Sequence, residues 1–239
     1  MFCVNFHPNV SLAVSGSFDE TVRLWNLQKN TCHRTIAAHS EAVTGVDFNL
    51  DGSILASSSY DGLIRLWDSS TGQCLKTLVY GEAPPIGNIF FSPNSFQLLA
   101  TSLDNSIRLW DIANSRVIKT YLGHHNEKFA IKACFSAFQS SMPSPSCSVP
   151  PVMIVSGSED QRIYLWDLQS KKVVQTLVGH KDAILAVATH PTLSLIASAS
   201  LDHDPCIKVS VAVSVSYAVC SPFLRTANLD LEVRSSATQ

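Results

Sequence analysis

The chain has 239 residues, a formal net charge of -2, a hydrophobic share of 46% and only 15% charged residues, where a mixed domain usually carries about 25% charged. That charge, with no segment concentrating Lys and Arg, gives no electrostatic case for direct nucleic-acid binding, which rests on neutralising phosphates. Seven Cys without a C-x-x-C pair argue against zinc or a disulfide framework, and neither the start MFCVNFHPNV nor the Ser-broken run 209–219 predicts a secretory signal or a membrane span.

In chain order the predicted elements are short strands. Phe2 to Phe6 alternates as an entering strand, and Val43 to Phe48 alternates apolar with small or polar residues. Ile54 to Ser58 follows a Gly-containing turn, Leu63 to Trp67 follows Asp61-Gly62, and Cys74 to Leu78 follows Thr71-Gly72. β-branched residues dominate and no stretch keeps a helical period beyond about two turns, so helices should be nearly absent.

The phrase SGSFDETVRLWN, residues 15–26, returns as SSSYDGLIRLWD at 57–68, ATSLDNSIRLWD at 100–111, SGSEDQRIYLWD at 156–167 and a damaged SASLDHDPCIKVS at 198–210. One supersecondary element is therefore stacked every 42 to 56 residues. Four strands per unit, each unit closing on Trp-Asp or Trp-Asn, predict an all-β propeller with units at roughly 1–37, 38–79, 80–122, 123–178 and 179–210. A Ser/Pro-rich insert at 137–151 cannot pair as strand. The run VSVAVSVSYAV, residues 209–219, alternates well enough for one strand, and the polar remainder to 239 is expected to be disordered or loosely attached.

Ser, Asp and Trp fall at i, i+2 and i+8 in four units: Ser17, Asp19, Trp25; Ser59, Asp61, Trp67; Ser102, Asp104, Trp110; Ser158, Asp160, Trp166. The fifth unit keeps Ser200 and Asp202. A buried indole must give away its N–H and a buried carboxylate needs donors, so a shared side-chain network is expected, with His39, His124 and His180 as further members. Ser, His and Asp together invite a hydrolase reading. Their recurrence in successive repeats suits a structural tie instead, so no catalytic residue, cofactor or metal ligand is assigned.

The phrases between these landmarks, VSGSFDE, SSSYDGL, GQCLKTL, Pro84-Pro85, ATSLDN, GHHNEK, IVSGSEDQ and ATHPTLSLIASA, carry a specific resemblance over residues 2–208. The chain resembles the WD-repeat-containing protein five ("will die slowly") family of β-propeller adaptors. That resemblance implies a nuclear, non-catalytic scaffold of Set1/mixed-lineage-leukemia histone lysine methyltransferase complexes. Its partners would be an arginine-containing methyltransferase peptide or a histone tail at the channel mouth, and a protein similar to retinoblastoma-binding protein five on the opposite face, with no direct nucleic acid and no membrane.

The resemblance places the arginine mouth at Phe2, Phe18, Thr44, Tyr60, Gly87, Phe129, Ala130, Lys132 and Leu185. A planar, weakly hydrated guanidinium suits an aromatic sandwich. Here the chain departs from the family, because Lys132 in FAIKACFS stands where the second ring is expected and would repel a bound arginine by roughly 1 kcal/mol or more. The opposite-face groove maps onto Asn94, Gln97, Leu109, Ile118, Lys119 and Gln169, and the insert is expected to emerge beside it.

Family members close seven blades, so four complete units and a damaged fifth imply an open or strained ring. Ile207-Lys208-Val209-Ser210 stands where Ile-Lys-Leu-Trp is expected. A generic WD-repeat interaction platform, such as a ubiquitin-ligase receptor or splicing scaffold, and a truncated product with impaired binding are the alternative readings; Lys132 adds weight to the first.

Overall fold

The computed structural model describes residues 1–9, 11–137, 152–190, 193, 195–202 and 207–211. Most of the insert and the tail beyond 211, with the expectations placed on them, lie outside the described residues. The chain divides into two compact units, Met1–Ala133 and Cys134–Gln239. Every regular element among the described residues is a strand.

The first unit holds three four-stranded antiparallel sheets. Sheet one is β1 (Cys3–Phe6), β2 (Leu12–Gly16), β3 (Thr21–Asn26) and β4 (Thr31–Ala37); sheet two is β5 (Val43–Phe48), β6 (Ile54–Ser59), β7 (Leu63–Asp68) and β8 (Cys74–Val79). Sheet three is β9 (Ile86–Phe91), β10 (Gln97–Ser102), β11 (Ser106–Asp111) and β12 (Arg116–Tyr121). Sheet four, in the second unit but for Ala133 at its start, is β13 (Ala133–Ala137), β14 (Val152–Ser156), β15 (Arg162–Asp167) and β16 (Val173–Val178). The last sheet, β17 (Ile184–Thr189), β18 (Leu195–Ser200) and β19 (Ile207–Val211), shows three strands among the described residues.

Each sheet is a meander in which neighbours in sequence pair, the arrangement of a propeller blade. Alternation sends one set of side chains to each face. Val14, Val22, Leu24 and Ile36 of sheet one pack on Val46, Phe48, Leu55 and Trp67 of sheet two, and Ile64, Leu66 and Leu78 pack on Ile89, Phe91, Leu98 and Trp110 of sheet three. In the second unit Val155, Ile163 and Leu165 pack on Ile184, Val187 and Ile196. The leading face of sheet one differs: Val4 and Phe6 are 54% and 60% exposed, while Val46 and Phe48 are each 6% exposed.

Backbone geometry explains the recurring Asp. In four hairpins the residue after it lies at positive φ: Glu20 (67°), Gly62 (77°), Asn105 (62°) and Gln161 (72°). In three of them the Asp carboxylate accepts the backbone N–H two residues on, from Thr21, Leu63 and Arg162, at 3.2, 2.9 and 3.3 Å. The carboxylate thus holds a tight turn between second and third strands. The thiols divide: Cys3 and Cys134 are buried, but Cys32 and Cys74 are exposed on outer strands.

Candidate interaction site at the inner-strand ends

The tie joining Trp, His and Asp is complete in sheet two. Trp67 Nε1 donates to Ser57 Oγ at 2.9 Å, His39 Nε2 meets the same oxygen at 2.7 Å, and His39 Nδ1 lies 2.9 Å from Asp61 Oδ2. The serine at its centre is Ser57, not the expected Ser59. Ser59 lies nearer the turn, where it donates to Glu41 O and accepts from Asp61 N. Burial lowers the His39 pKa against the pull of Asp61. Burial also raises the Asp61 carboxyl, but the Leu63 N–H and His39 outweigh it and its pKa falls.

Members of this arrangement stand in the other sheets as well. Trp25 donates to Ser15 at 2.9 Å rather than to Ser17, and Asp19 turns to Thr21 and Arg23 at the surface. In sheet three Asp104 and Ser102 hold Arg108, whose guanidinium lies 4.1 Å from the Tyr80 ring centroid, and Trp110 is buried in the core. In the second unit Asp160 accepts from Tyr164 OH at 2.6 Å, Ser158 and Trp166 are buried, and Asp160 N donates to Ser158 Oγ at 3.4 Å. His180 contacts Ser198 (2.8 Å), Ser200 (2.9 Å) and Asp202 (3.1 Å). His124 is buried in the first unit. These interactions tie loops to strands.

The residues assigned to the arginine mouth share a strand step. Thr44 and Gly87 are the extra residues of bulges at the starts of β5 and β9, and Leu185 has the same place in β17 of the second unit. Bulges re-aim side chains and recur beside binding sites. Phe2 immediately precedes β1 and Lys132 immediately precedes β13. Phe2 and Phe18 are 59% and 73% exposed and meet edge to face, with centroids 6.1 Å apart. Thr44 is buried and donates to Ile86 O at 2.7 Å.

Tyr60 is half-buried, which raises its phenol pKa, and Phe129 and Ala130 are half-buried. Gly87 sits at close approach, where a Cβ would stand 3.1 Å from Ala130 Cα. Lys132 is exposed while its neighbour Ile131 is fully buried.

A carboxylate that sequence reasoning missed lies below this step. Asp47 of β5 is 7% exposed and accepts from Asn5 Nδ2 (2.6 Å), Phe48 N (2.9 Å) and Phe91 N (2.6 Å), so it ties the first strands of three sheets. Burial pushes its pKa up to about 7, against the Phe91 and Phe48 N–H groups, the Lys132 ammonium and the Asn5 amide. Burial likewise pushes the Cys3 thiol up to about 11, with Lys132 among the opposing influences. The signal was present: Asn5 and Asp47 are polar residues at matching positions of otherwise apolar strands.

At the other end of sheet three, Asn94 is exposed in the turn before β10, Gln97 is half-buried, Ile118 is 42% exposed and Lys119 is half-buried. Leu109, expected at the surface, is 1% exposed, because its step of β11 faces the core. Phe96 stands between Asn94 and Gln97 at 73% exposure and belongs with them, although sequence reasoning passed over it. Gln169 is exposed in the turn after β15 of the second unit. Among the described residues no group of three or more His, Cys, Asp or Glu is placed to hold a metal ion.

A family model described as the WDR5 beta-propeller domain matches residues 1–211. COMPASS component SWD3 of Saccharomyces cerevisiae is 34% identical over 217 residues, covering 85% of this chain and 67% of that protein. WD repeat-containing protein WDS homolog of Arabidopsis thaliana is 33% identical over 84 residues, 35% of this chain and 14% of that protein. Nuclear distribution protein nudF of Emericella nidulans is 30% identical over 192 residues, 80% of this chain and 41% of that protein. Apart from SWD3, these curated relatives are matched over less than half their own length. The chain belongs to the WDR5 beta-propeller domain family.

Proposed function

We propose that the chain is a nuclear, non-catalytic scaffold of histone lysine methyltransferase complexes of the Set1/mixed-lineage-leukemia type. The observation that carries this reading is the family match over residues 1–211, together with similarity to a yeast protein named as a COMPASS component. In this reading the inner-strand ends at Phe2, Thr44, Gly87 and Lys132 receive an arginine-containing segment of the methyltransferase or of a histone tail. The exposed Phe2–Phe18 pair supports it by offering an uncovered aromatic surface for a guanidinium. The surface around Asn94, Phe96, Gln97 and Ile118 receives a partner similar to retinoblastoma-binding protein five. Repeated ties in place of a unique polar constellation support a binding role.

Lys132 favours a second reading, a WD-repeat interaction platform without arginine specificity. Calorimetric titration with an arginine-containing peptide separates the two. The scaffold reading expects weak or undetectable heat from the native protein and at least tenfold tighter binding on Lys132→Phe. No binding by Lys132→Phe, together with failure to co-purify with a reconstituted methyltransferase complex, would overturn it and leave the generic platform.

A further inference from the structure

Of the residues assigned to the arginine mouth in the first unit, Lys132 alone carries a charge, and that charge is positive. The carboxylates that follow Phe18 and Tyr60 are engaged by other groups: Asp19 accepts from Thr21 and pairs with Arg23, and Asp61 meets His39 at 2.9 Å. A guanidinium seated beside Lys132 therefore draws its counter-charge from elsewhere.

Asp47 is placed to supply it. Thr44 stands three residues before Asp47 and Phe2 three before Asn5, about 10 Å of strand in each case. The bulge at Thr44 aims its hydroxyl at Ile86 O of β9, at 2.7 Å, and Asp47 Oδ2 accepts from Phe91 N of the same strand at 2.6 Å. Asn5 Nδ2 donates to the other carboxylate oxygen at 2.6 Å. Mouth residues and carboxylate thus share one seam of first strands. Asp47 is 7% exposed, so salt screens it from a charge at the mouth less than it would a surface group. Lys132 already acts as a probe of that distance: its ammonium favours the ionised forms of Asp47 and of Cys3, the residue after Phe2. The other groups beside Asp47 in this unit are the Cys3 thiol, whose pKa burial raises to about 11, and His7, whose ring meets Phe48 and Gly52 O. Across β6 and β9 it faces Ala56 and Phe91, which bring no charge.

We propose, on the arginine reading above, that Asp47 is the charge-selecting residue of this mouth: its buried carboxylate is the counter-charge for the cationic side chain of the bound segment and acts on it without touching it. A cation brought to the mouth favours the carboxylate over the protonated acid, as Lys132 does. Binding and ionisation are reciprocal, so ionised Asp47 tightens the hold on a cation by the same factor. Burial raises the Asp47 pKa to about 7, so affinity for a cation rises as pH climbs through that value. A neutral side chain of the same shape gains nothing.

Calorimetric titration of full-length Lys132→Phe at pH 6 and pH 9 tests this. The probes are an end-capped peptide whose one ionisable side chain is an arginine, and the same peptide with citrulline, the neutral isostere. The arginine peptide should bind at least threefold tighter at pH 9, with net proton release read from buffers of different ionisation enthalpy, while the citrulline peptide binds equally at both. Adding Asp47→Asn should hold arginine affinity at its pH 6 value throughout and leave citrulline binding unchanged. Equal arginine affinity at both pH values without proton release, or the same pH dependence for citrulline, would overturn the proposal; neither result needs an Asp47 variant that folds. Failure of Lys132→Phe to bind the arginine peptide at either pH would instead overturn the arginine reading and this proposal with it.

Discussion

Trp67 and Ser57 are joined by an indole hydrogen bond of 2.9 Å, and the hydroxyl that accepts it also meets His39 at 2.7 Å. Ser57 is fully buried, so removing its oxygen leaves an indole donor and an imidazole nitrogen without partners in a site closed to water. Ser57→Ala should therefore cost about 2–3 kcal/mol of unfolding free energy. Ser59→Ala, which loses a hydrogen bond to Glu41 O and a turn contact, should cost about 1 kcal/mol. Urea denaturation of the two variants checks the order, and a costlier Ser59→Ala would refute the tie described here.

Asp47 should make stability depend on pH. Its folded pKa, about 7, lies above the ordinary 3.8, so its favourable contribution is fully present below pH 3.8 and is lost as pH rises through 7. Relative to Asp47→Asn, native protein should lose stability between pH 4 and 8, by at most about 4 kcal/mol at 1.36 kcal/mol per pKa unit. The comparison cancels His39, whose lowered pKa acts in the opposite sense, its stabilisation being lost as pH falls. Lys132→Phe removes a cation that lowers the Asp47 pKa and should move the transition to higher pH. Denaturant titrations at stepped pH check both; a difference independent of pH would refute the assignment.

Repetition made the sheets legible, because Ser, Asp and Trp return at fixed spacing and strand alternation fixes which face is buried. The sequence could also place Phe18 and Tyr60 beside the turn Asp. It could not choose between Ser57 and Ser59. Both precede the same Asp at even spacing, and the choice depends on how far His39 reaches from the preceding loop. Leu109 was misplaced for a related reason: a groove inherited from a resemblance names strand positions, while the face each side chain occupies is set by register. The Asp47 tie needs three strands brought together from residues 5, 47 and 91, which no local pattern announces.

Equivalent phenylalanines give an internal control on packing between sheets. Phe48 is 6% exposed against sheet one and Phe6, at the same step of β1, is 60% exposed. Phe48→Ala should cost about 3–5 kcal/mol, the range for emptying a core site. Phe6→Ala should cost less than about 1 kcal/mol, since most of its ring already meets water. Thermal and urea unfolding of the two variants measure the contrast. Similar losses would mean that the leading face of sheet one is covered in solution.

Turn geometry supplies the last test. Glu20, Gly62, Asn105 and Gln161 all follow the hairpin Asp and all adopt positive φ, which costs a residue with a Cβ about 1 kcal/mol relative to glycine. The Asp carboxylate and the strand pairing on either side impose the conformation, so the chain tolerates strain at Glu20 and Gln161. Glu20→Gly should raise stability by about 0.5–1 kcal/mol, the relief of strain exceeding the extra freedom gained by the unfolded chain. Gly62→Ala should do the reverse and by more. Besides the backbone cost, its new Cβ would stand 2.1 Å from Ala83 O, so the loop before β9 must move. Paired unfolding measurements decide the matter: a neutral Gly62→Ala would show that this loop yields freely, and a destabilising Glu20→Gly would show that the Glu20 side chain contributes more than its backbone strain removes.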